Sequence, residues 1–125
     1  IYSLSNESNI IFGKAGEKAA LEFFQNKGYK LLHKNWRHKK SEIDLIVKKE
    51  DQVIFVEVKT RNQKNNQTIN EIVSISQQKR IMNAAHNYIN IYSLDEEIRF
   101  DLIQITLCNN SPNFIHYKEF MYPTL

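Results

Sequence analysis

The chain has 125 residues, 42% of them hydrophobic and 25% charged, with a formal net charge of +3. These values predict one globular domain over residues 1–125, with a core from about 9 to 120, and they exclude collagen-like, low-complexity and wholly disordered proteins. The lone Cys108 excludes an internal disulfide and a cysteine-based zinc site, which favours a reducing, cytoplasmic location. No apolar run is long enough for a membrane helix, and no signal peptide is visible; the first residue is Ile rather than Met, which leaves an upstream signal open.

The first half of the chain predicts one helix followed by three strands. Residues 1–8 are polar and expected to be loose, and a helix follows from about Asn9 to Lys27, with Gly28 as its C-cap. Strands are predicted over residues 29–36, 42–48 and 53–60. The polar turn over residues 49–52 makes the last two strands an antiparallel hairpin.

The second half predicts a mobile polar loop over residues 61–70 and a second helix from about Glu71 to Asn90. The buried face of that helix is predicted to carry Ile72, Ile75, Met82 and Ile89. Strands follow over residues 98–107 and 114–120, separated by a turn over residues 109–113. The predicted order is α-β-β-β-α-β-β, an α/β fold with a mixed central sheet flanked by helices.

The third predicted strand carries two charges on an apolar background. Because side chains alternate along a strand, Glu57 and Lys59 share one face with Phe55, while the opposite face is apolar and buried. If the hairpin turn is centred on residues 50–51, Asp44 of the neighbouring strand lies directly opposite Glu57. Burying charges in this way is costly unless they are paired or bind an ion.

Two explanations fit these acids. A divalent cation between Asp44 and Glu57 would remove their repulsion, and oxygen ligands alone favour Mg²⁺ or Mn²⁺ over zinc. The alternative is an ion-pair network of Asp44, Glu57 and Lys59 on a solvent-facing sheet surface. Glu17 is a third candidate acid, because it lies in helical register with Ala20 and Phe24; it either reaches a site or stands at a helix start.

The basic charges concentrate in residues 27–40, which contain six lysines and arginines and no acid. Such a stripe suits a nucleic-acid backbone, although a solvated strand edge guarded by lysines has the same composition. Lys79 shares the register of the predicted buried face of the second helix, and its alternative is a packed stem with a solvated head. The predicted nucleic-acid contacts are Lys34, Arg37, Lys39, Lys40, Arg61 and Lys79.

The metal-binding Asp, the Glu-Val-Lys triplet and the flanking helices resemble the PD-(D/E)xK nuclease superfamily, which has the restriction-endonuclease-like fold. The chain is most similar to the bacterial YraN-like family of predicted endonucleases, which resemble archaeal Holliday-junction resolvases. The similarity spans about residues 13–120 and rests on GKAGEKAA, KGYKLLHKNWR, SEIDLI, FVEVKTR, KRIMNAAHNYI and RFDLIQI in that order. The chain departs from the family at Ser41, where Gly is usual, and in the loop NQKNNQTIN, where Phe-Gly is usual.

The resemblance implies roles for particular residues. Asp44, Glu57 and the Val58 carbonyl would hold Mg²⁺ or Mn²⁺, and Glu17 matches the acid of the first helix that completes the site in resolvase relatives. Lys59 would orient the attacking water and steady charge on the phosphate. The implied reaction is metal-dependent hydrolysis of phosphodiester bonds in DNA, including branched, Holliday-junction-like DNA.

The same resemblance implies a homodimer, because a junction has two strands to cut. The C-terminal FMYPTL is a candidate contact surface that could equally pack on its own domain. Two other functions stay open. One is a non-catalytic nucleic-acid-binding module on a nuclease fold, which the basic segment and the altered loop would suit. The other is a protein-interaction partner in DNA repair or uptake with a vestigial site.

Overall fold

A computed structural model describes residues 2–61, 67–108 and 111–123. Within these ranges the elements follow the predicted order, with one additional single-turn helix, and the α/β fold is consistent with the restriction-endonuclease-like class. The elements are α1 (Tyr2–Asn26), β1 (Lys30–His38), β2 (Ser41–Lys49), β3 (Gln52–Arg61), α2 (Ile69–Ile72), α3 (Ile75–Tyr92), β4 (Glu97–Cys108) and β5 (Ser111–Met121).

The sheet has five strands in the order β1-β2-β3-β4-β5, so every strand lies beside its neighbour in the chain. Three of the four pairings are antiparallel, and β3 pairs with β4 in parallel. A parallel pair needs a crossover connection, which α2 and α3 supply here. The sheet is therefore mixed, as predicted.

Each face of the sheet carries its own hydrophobic core. On one face α1 packs through Ala20 and Phe24 against side chains such as Leu45, Ile54 and Ile103. On the other face α3 packs through a stripe of residues against side chains such as Ile46, Phe55, Phe100 and Leu102; the stripe is Ile81, Ala84, Ala85 and Tyr88. The central strands β3 and β4 are apolar because both of their faces are covered.

The second helix differs from the prediction in its start and in its buried face. The predicted helix is interrupted at Val73 and Ser74. The Ser74 hydroxyl accepts a hydrogen bond from the Gln77 N–H at 3.1 Å, and this bond caps the start of α3. This new start resets the helical phase, so the predicted face is wrong at Ile75, which is 52% exposed. The buried stripe begins at Ile81 instead.

The start of the chain differs from the prediction, and parts of two predicted connections are not described by the structure. The expectation that residues 2–8 are loose is wrong, because α1 begins at Tyr2 and no Gly or Pro interrupts the chain before Gly13. Residues 62–66 of the predicted loop and residues 109–110 of the predicted turn lie outside the described residues. In the described part of the chain, no helix combines the length and the apolar character that a membrane span requires.

Candidate active site

Asp44 lies where β2 separates from β3. The hairpin has the predicted register, from Lys49 opposite Gln52 to Leu45 opposite Val56, but the ladder ends there. The predicted cross-strand pairing of Asp44 with Glu57 is therefore not part of the ladder. Instead, the Asp44 Oδ2 atom accepts a hydrogen bond from the backbone N–H of Val58 at 2.8 Å. This bond anchors the carboxyl group to β3 at the point where the regular pairing stops.

The strand also changes its facing at this point. Leu45 packs in the core beneath α1, as alternation requires, whereas Ile43 packs in the opposite core with Trp36. Strict alternation along β2 would place Ile43 and Leu45 on one face, and the structure departs from it because β2 is irregular around Asp44. The irregularity frees Asp44 from the alternation that would otherwise bury it on one side of the sheet.

Asp44 and Glu57 form an acid pair in a cavity of about 240 Å³, whose other lining residues are Lys40, Glu42, Gln77, Arg80 and Ile81. Burial raises the pKa of Asp44 to about 8, and the charge of neighbouring Glu57 contributes to the rise. The hydrogen bond from Val58 opposes it. Without a cation, the Asp44 carboxyl group is therefore largely protonated near neutral pH.

Glu57 is held by two donors on one of its oxygens. The Gln77 side-chain amide donates to the Glu57 Oε2 atom at 2.7 Å, and the Lys59 Nζ atom lies 3.4 Å from the same oxygen. Glu57 is only 7% exposed. The ion pair expected for Lys59 is therefore present, but it does not lie on the solvent-facing surface that the alternative interpretation assumed.

Glu17 reaches this region from the α1 side of the sheet. Its helix approaches β3 closely, because Gly16 is buried directly against the Thr60 side chain. Burial raises the pKa of Glu17, the nearby Asp44 charge raises it further, and the Asn35 side-chain amide opposes the shift. Glu17 is thus close enough to feel the charge of Asp44, but it does not line the cavity that holds Glu57.

The donor set suits a hard cation but is incomplete. Two carboxylates with a neighbouring backbone carbonyl at Val58 are the oxygen donors that Mg²⁺ and Mn²⁺ prefer. Over residues 2–61, 67–108 and 111–123, no three Asp, Glu, His or Cys side chains converge in the arrangement of a metal site. The residues therefore fit an ion held by Asp44 and Glu57 that keeps several water ligands, as Mg²⁺ usually does.

Of the predicted basic residues, Lys40 is the one that lines the cavity. It lies in the β1–β2 turn, next to Lys39, and both lysines are exposed. Arg37 is also exposed and forms an ion pair of 3.6 Å with Glu42 at the cavity wall. Lys34 lies on the exposed part of β1. These four residues therefore follow one edge of the sheet.

The other two predicted contacts lie elsewhere. The Arg61 guanidinium donates to the Thr60 carbonyl at 3.0 Å, just before the segment that lies outside the description. Lys79 does not reach the sheet or the cavity; it lines a separate groove with Met82, Met121 and Tyr122. Lys79 keeps its predicted register with Ile75 and Met82, which line the same groove, but the side of α3 that packs on the sheet is the one that carries Ile81, Ala84, Ala85 and Tyr88.

Two further residues of α3, Gln77 and Arg80, line the cavity, and neither was predicted as a site residue. Gln78, one position away from Gln77, instead donates to the Val73 carbonyl at 2.9 Å and braces the break between α2 and α3. The spacing Ser74-x-x-Gln77 is a helix-start signal, and it could have placed both residues one turn apart on the correct face.

Comparison with known proteins identifies the family. Residues 16–105 match the model of the uncharacterised protein family UPF0102. A UPF0102 protein of Chloroherpeton thalassium is 43% identical over 107 residues, covering 85% of this chain and 83% of that protein. A UPF0102 protein of Clostridioides difficile is 42% identical over 104 residues, covering 82% of this chain and 91% of that protein. A UPF0102 protein of Bacteroides thetaiotaomicron is 37% identical over 113 residues, covering 90% of this chain and 93% of that protein. The chain therefore belongs to the UPF0102 family, also called the YraN family.

Proposed function

We propose that this protein is a Mg²⁺- or Mn²⁺-dependent endonuclease that hydrolyses phosphodiester bonds in DNA, branched DNA included. The observation that carries the proposal is the buried acid pair of Asp44 and Glu57, with Lys59 in contact with Glu57. Two carboxylates that oppose each other inside an apolar sheet weaken the fold unless they share a proton or hold a cation. A hydrolytic metal site gives that arrangement a purpose.

The residues divide the work in a simple way. Asp44, Glu57 and the Val58 carbonyl would hold the ion, with Glu17 available from α1. The ion, when bound, supplies positive charge that polarises the phosphate and lowers the pKa of a water molecule. The Val58 N–H fixes the Asp44 carboxylate, and Gln77 fixes that of Glu57. Preorganised ligands of this kind need no rearrangement during the reaction.

Lys59 is suited to act on the substrate. Its ammonium group is half-buried beside Glu57, so it would orient the attacking water and offset the negative charge that develops on the phosphate. Water adds to phosphorus, the bond to one sugar oxygen breaks, and the products are a phosphate monoester and a free hydroxyl. Hydrolysis of this type needs no further co-reactant.

The test is cleavage of labelled linear, single-stranded and four-way-junction DNA with Mn²⁺ or Mg²⁺. The parent protein is expected to cut at least one of them, and EDTA is expected to stop the reaction. Asp44→Asn, Glu57→Gln and Lys59→Met should each lower the rate at least about a hundredfold. Asp51→Asn, which removes an exposed acid from the same hairpin, is the matched control and should retain activity.

A second function, a non-catalytic nucleic-acid-binding module, is favoured by one observation. Among the described residues no third acidic ligand joins Asp44 and Glu57. This module would bind DNA in EDTA with a strong salt dependence and would never cleave it. Binding that requires the metal and disappears in Asp44→Asn would exclude this alternative.

A further inference from the structure

We infer that Arg80, together with Lys40, binds the backbone phosphates of the DNA strand that enters the acidic cavity. This inference rests on the proposed function and adds the residues that hold the substrate. Both cations line the same cavity as Asp44 and Glu57. They come from different parts of the fold, Lys40 from the turn between β1 and β2 and Arg80 from the second turn of α3.

Arg80 differs from the other three arginines of the chain in its contacts. Arg99 is bound to Asp101, Arg37 is paired with Glu42, and Arg61 donates to a carbonyl. Arg80 makes no hydrogen bond or ion pair with the side chains and backbone that the structure describes, and it is exposed. Its guanidinium is therefore free to meet a ligand from solvent, and its planar fork matches the oxygens of a phosphate.

The charges of the cavity point to an anion that is bound next to a cation. The floor is acidic, with Asp44 and Glu57, and would repel a phosphate that arrived alone. Lys40 and Arg80 at the walls offset that repulsion and attract a polyanion. A chain of phosphates, unlike a single small anion, can satisfy both walls while one phosphate lies over the acid pair.

This geometry also indicates the path of the strand. Because Lys40 lies in the β1–β2 turn and Arg80 lies on α3, a strand that contacts both crosses the cavity from that turn towards α3. Gln77, one turn before Arg80, holds Glu57 at the same time. The start of α3 would thus organise both a metal ligand and the substrate.

Lys79→Ala is the matched control for Arg80→Ala, because it removes one positive charge from the adjacent position. Lys79 is as exposed as Arg80, but it lines the separate groove beside Met121 and Tyr122. Binding of fluorescein-labelled DNA is measured by anisotropy over a series of KCl concentrations, in EDTA and, with Lys59→Met added to prevent cleavage, in Mn²⁺. Cleavage in Mn²⁺ is measured for the same substitutions in the otherwise unchanged protein, at DNA concentrations below the dissociation constant.

Arg80→Ala is expected to weaken DNA binding about tenfold and to reduce the slope of log K against log[salt] by about one. Lys40→Ala should behave similarly, Arg80→Lys should lose about twofold, and Lys79→Ala should lose less than about twofold. Circular dichroism checks that each variant is folded, which we expect because the three positions are exposed.

Two outcomes would overturn the inference while leaving the proposed function intact. In one, the parent cleaves DNA and Arg80→Ala binds it as tightly as the parent. In the other, Arg80→Ala and Lys79→Ala lose the same affinity, which would indicate a diffuse basic surface. A parent protein that neither binds nor cleaves DNA would overturn both the inference and the proposed function.

Discussion

The acid pair of Asp44 and Glu57 is the most informative pair of residues in the molecule. Each carboxyl group accepts a hydrogen bond from a different donor: Asp44 from the Val58 N–H, and Glu57 from the Gln77 side-chain amide. Lys59 offsets part of the charge of Glu57. Among the described residues no cation pairs with Asp44 in this way, and burial together with the neighbouring acid raises its pKa to about 8.

The raised pKa makes the stability of the metal-free protein depend on pH. Asp44 has an ordinary pKa of 3.8 when unfolded, so the folded state binds its proton more tightly than the unfolded state. The stabilisation is complete below about pH 4 and is lost as the pH rises through about 8. Asp44→Asn removes the ionisation and can still accept from Val58. We expect it to raise the free energy of unfolding by roughly 2 kcal/mol at about pH 9.

Urea unfolding in EDTA between about pH 5 and pH 9 measures this effect. The gain of the variant over the parent should grow with pH and should shrink when Mn²⁺ is added to the parent. Glu22→Gln, at an exposed position on α1, is a control for the loss of one charge. A gain that does not change with pH would show that Asp44 is not strained by its neighbour.

The hairpin register could be predicted from the sequence as far as Leu45 opposite Val56, and it places Asp44 near Glu57; the catalytic roles of Asp44, Glu57 and Lys59 stay predictions. Prediction from the sequence did not reach Gln77, which meets Glu57 across a sequence separation of 20 residues. That contact depends on where α3 starts and how the helix packs over β2. Neither follows from periodicity alone when the helix is broken at Ser74.

At the scale of elements, α1 depends on a close approach to the sheet at Gly16. A Cβ atom at this position would overlap the Thr60 methyl group, so Gly16→Ala must push α1 away from β3. We expect a loss of roughly 2 kcal/mol in the free energy of unfolding, by urea titration. Thr60→Ser removes the methyl group and makes room, so the double variant should recover most of the loss.

A double variant that is no more stable than Gly16→Ala would show that the contact does not determine how α1 docks. The result bears on the site, because Glu17 follows Gly16 directly and its distance from Asp44 depends on the position of the helix. The sequence indicated the register of Glu17 on its helix. It could not indicate how closely α1 approaches the sheet, since that distance is set by Thr60, 44 positions away along the chain.

The motif RFDLIQI has a structural explanation at the same scale. Asp101 is fully buried on β4, where it accepts two hydrogen bonds from Arg99 and one from the Glu119 N–H, and its Oδ2 atom lies 2.7 Å from His116. The pairing of β4 with β5 is irregular here, and Glu119 has a positive φ of 52°. Asp101 therefore stabilises the irregular part of the pairing between β4 and β5.

Replacing Asp101 should be strongly destabilising. Asp101→Asn leaves the half-buried Arg99 without its charged partner, and we expect a loss of roughly 3 kcal/mol in urea unfolding. The Asp101 partners hold the pKa of that carboxyl below its usual range, so its contribution is present above about pH 4 and disappears as the pH falls further. Glu97→Gln, at an exposed position on β4, should change stability by less than about 0.5 kcal/mol.

For the whole molecule, the order of elements and the mixed sheet were predictable because strongly apolar strands and helical periodicity dominate the sequence. The helices α1 and α3 cover opposite faces, which explains why β3 is apolar on both sides from Val53 to Val58 apart from Glu57. Lys40, in the basic turn between β1 and β2, lines the same cavity as the acid pair. The fold thus brings this turn together with Glu57 of β3 and Arg80 of α3, from which it is separate in the sequence.

Calorimetric titration with Mn²⁺ shows directly whether Asp44 and Glu57 bind a divalent cation. Because Asp44 is largely protonated at neutral pH, binding at about pH 7 should release close to one proton, which titrations in two buffers reveal. We predict binding by the parent protein with this release, and affinity at least about tenfold lower in Asp44→Asn. Equal affinity in both proteins, or no binding by the parent, would contradict the account.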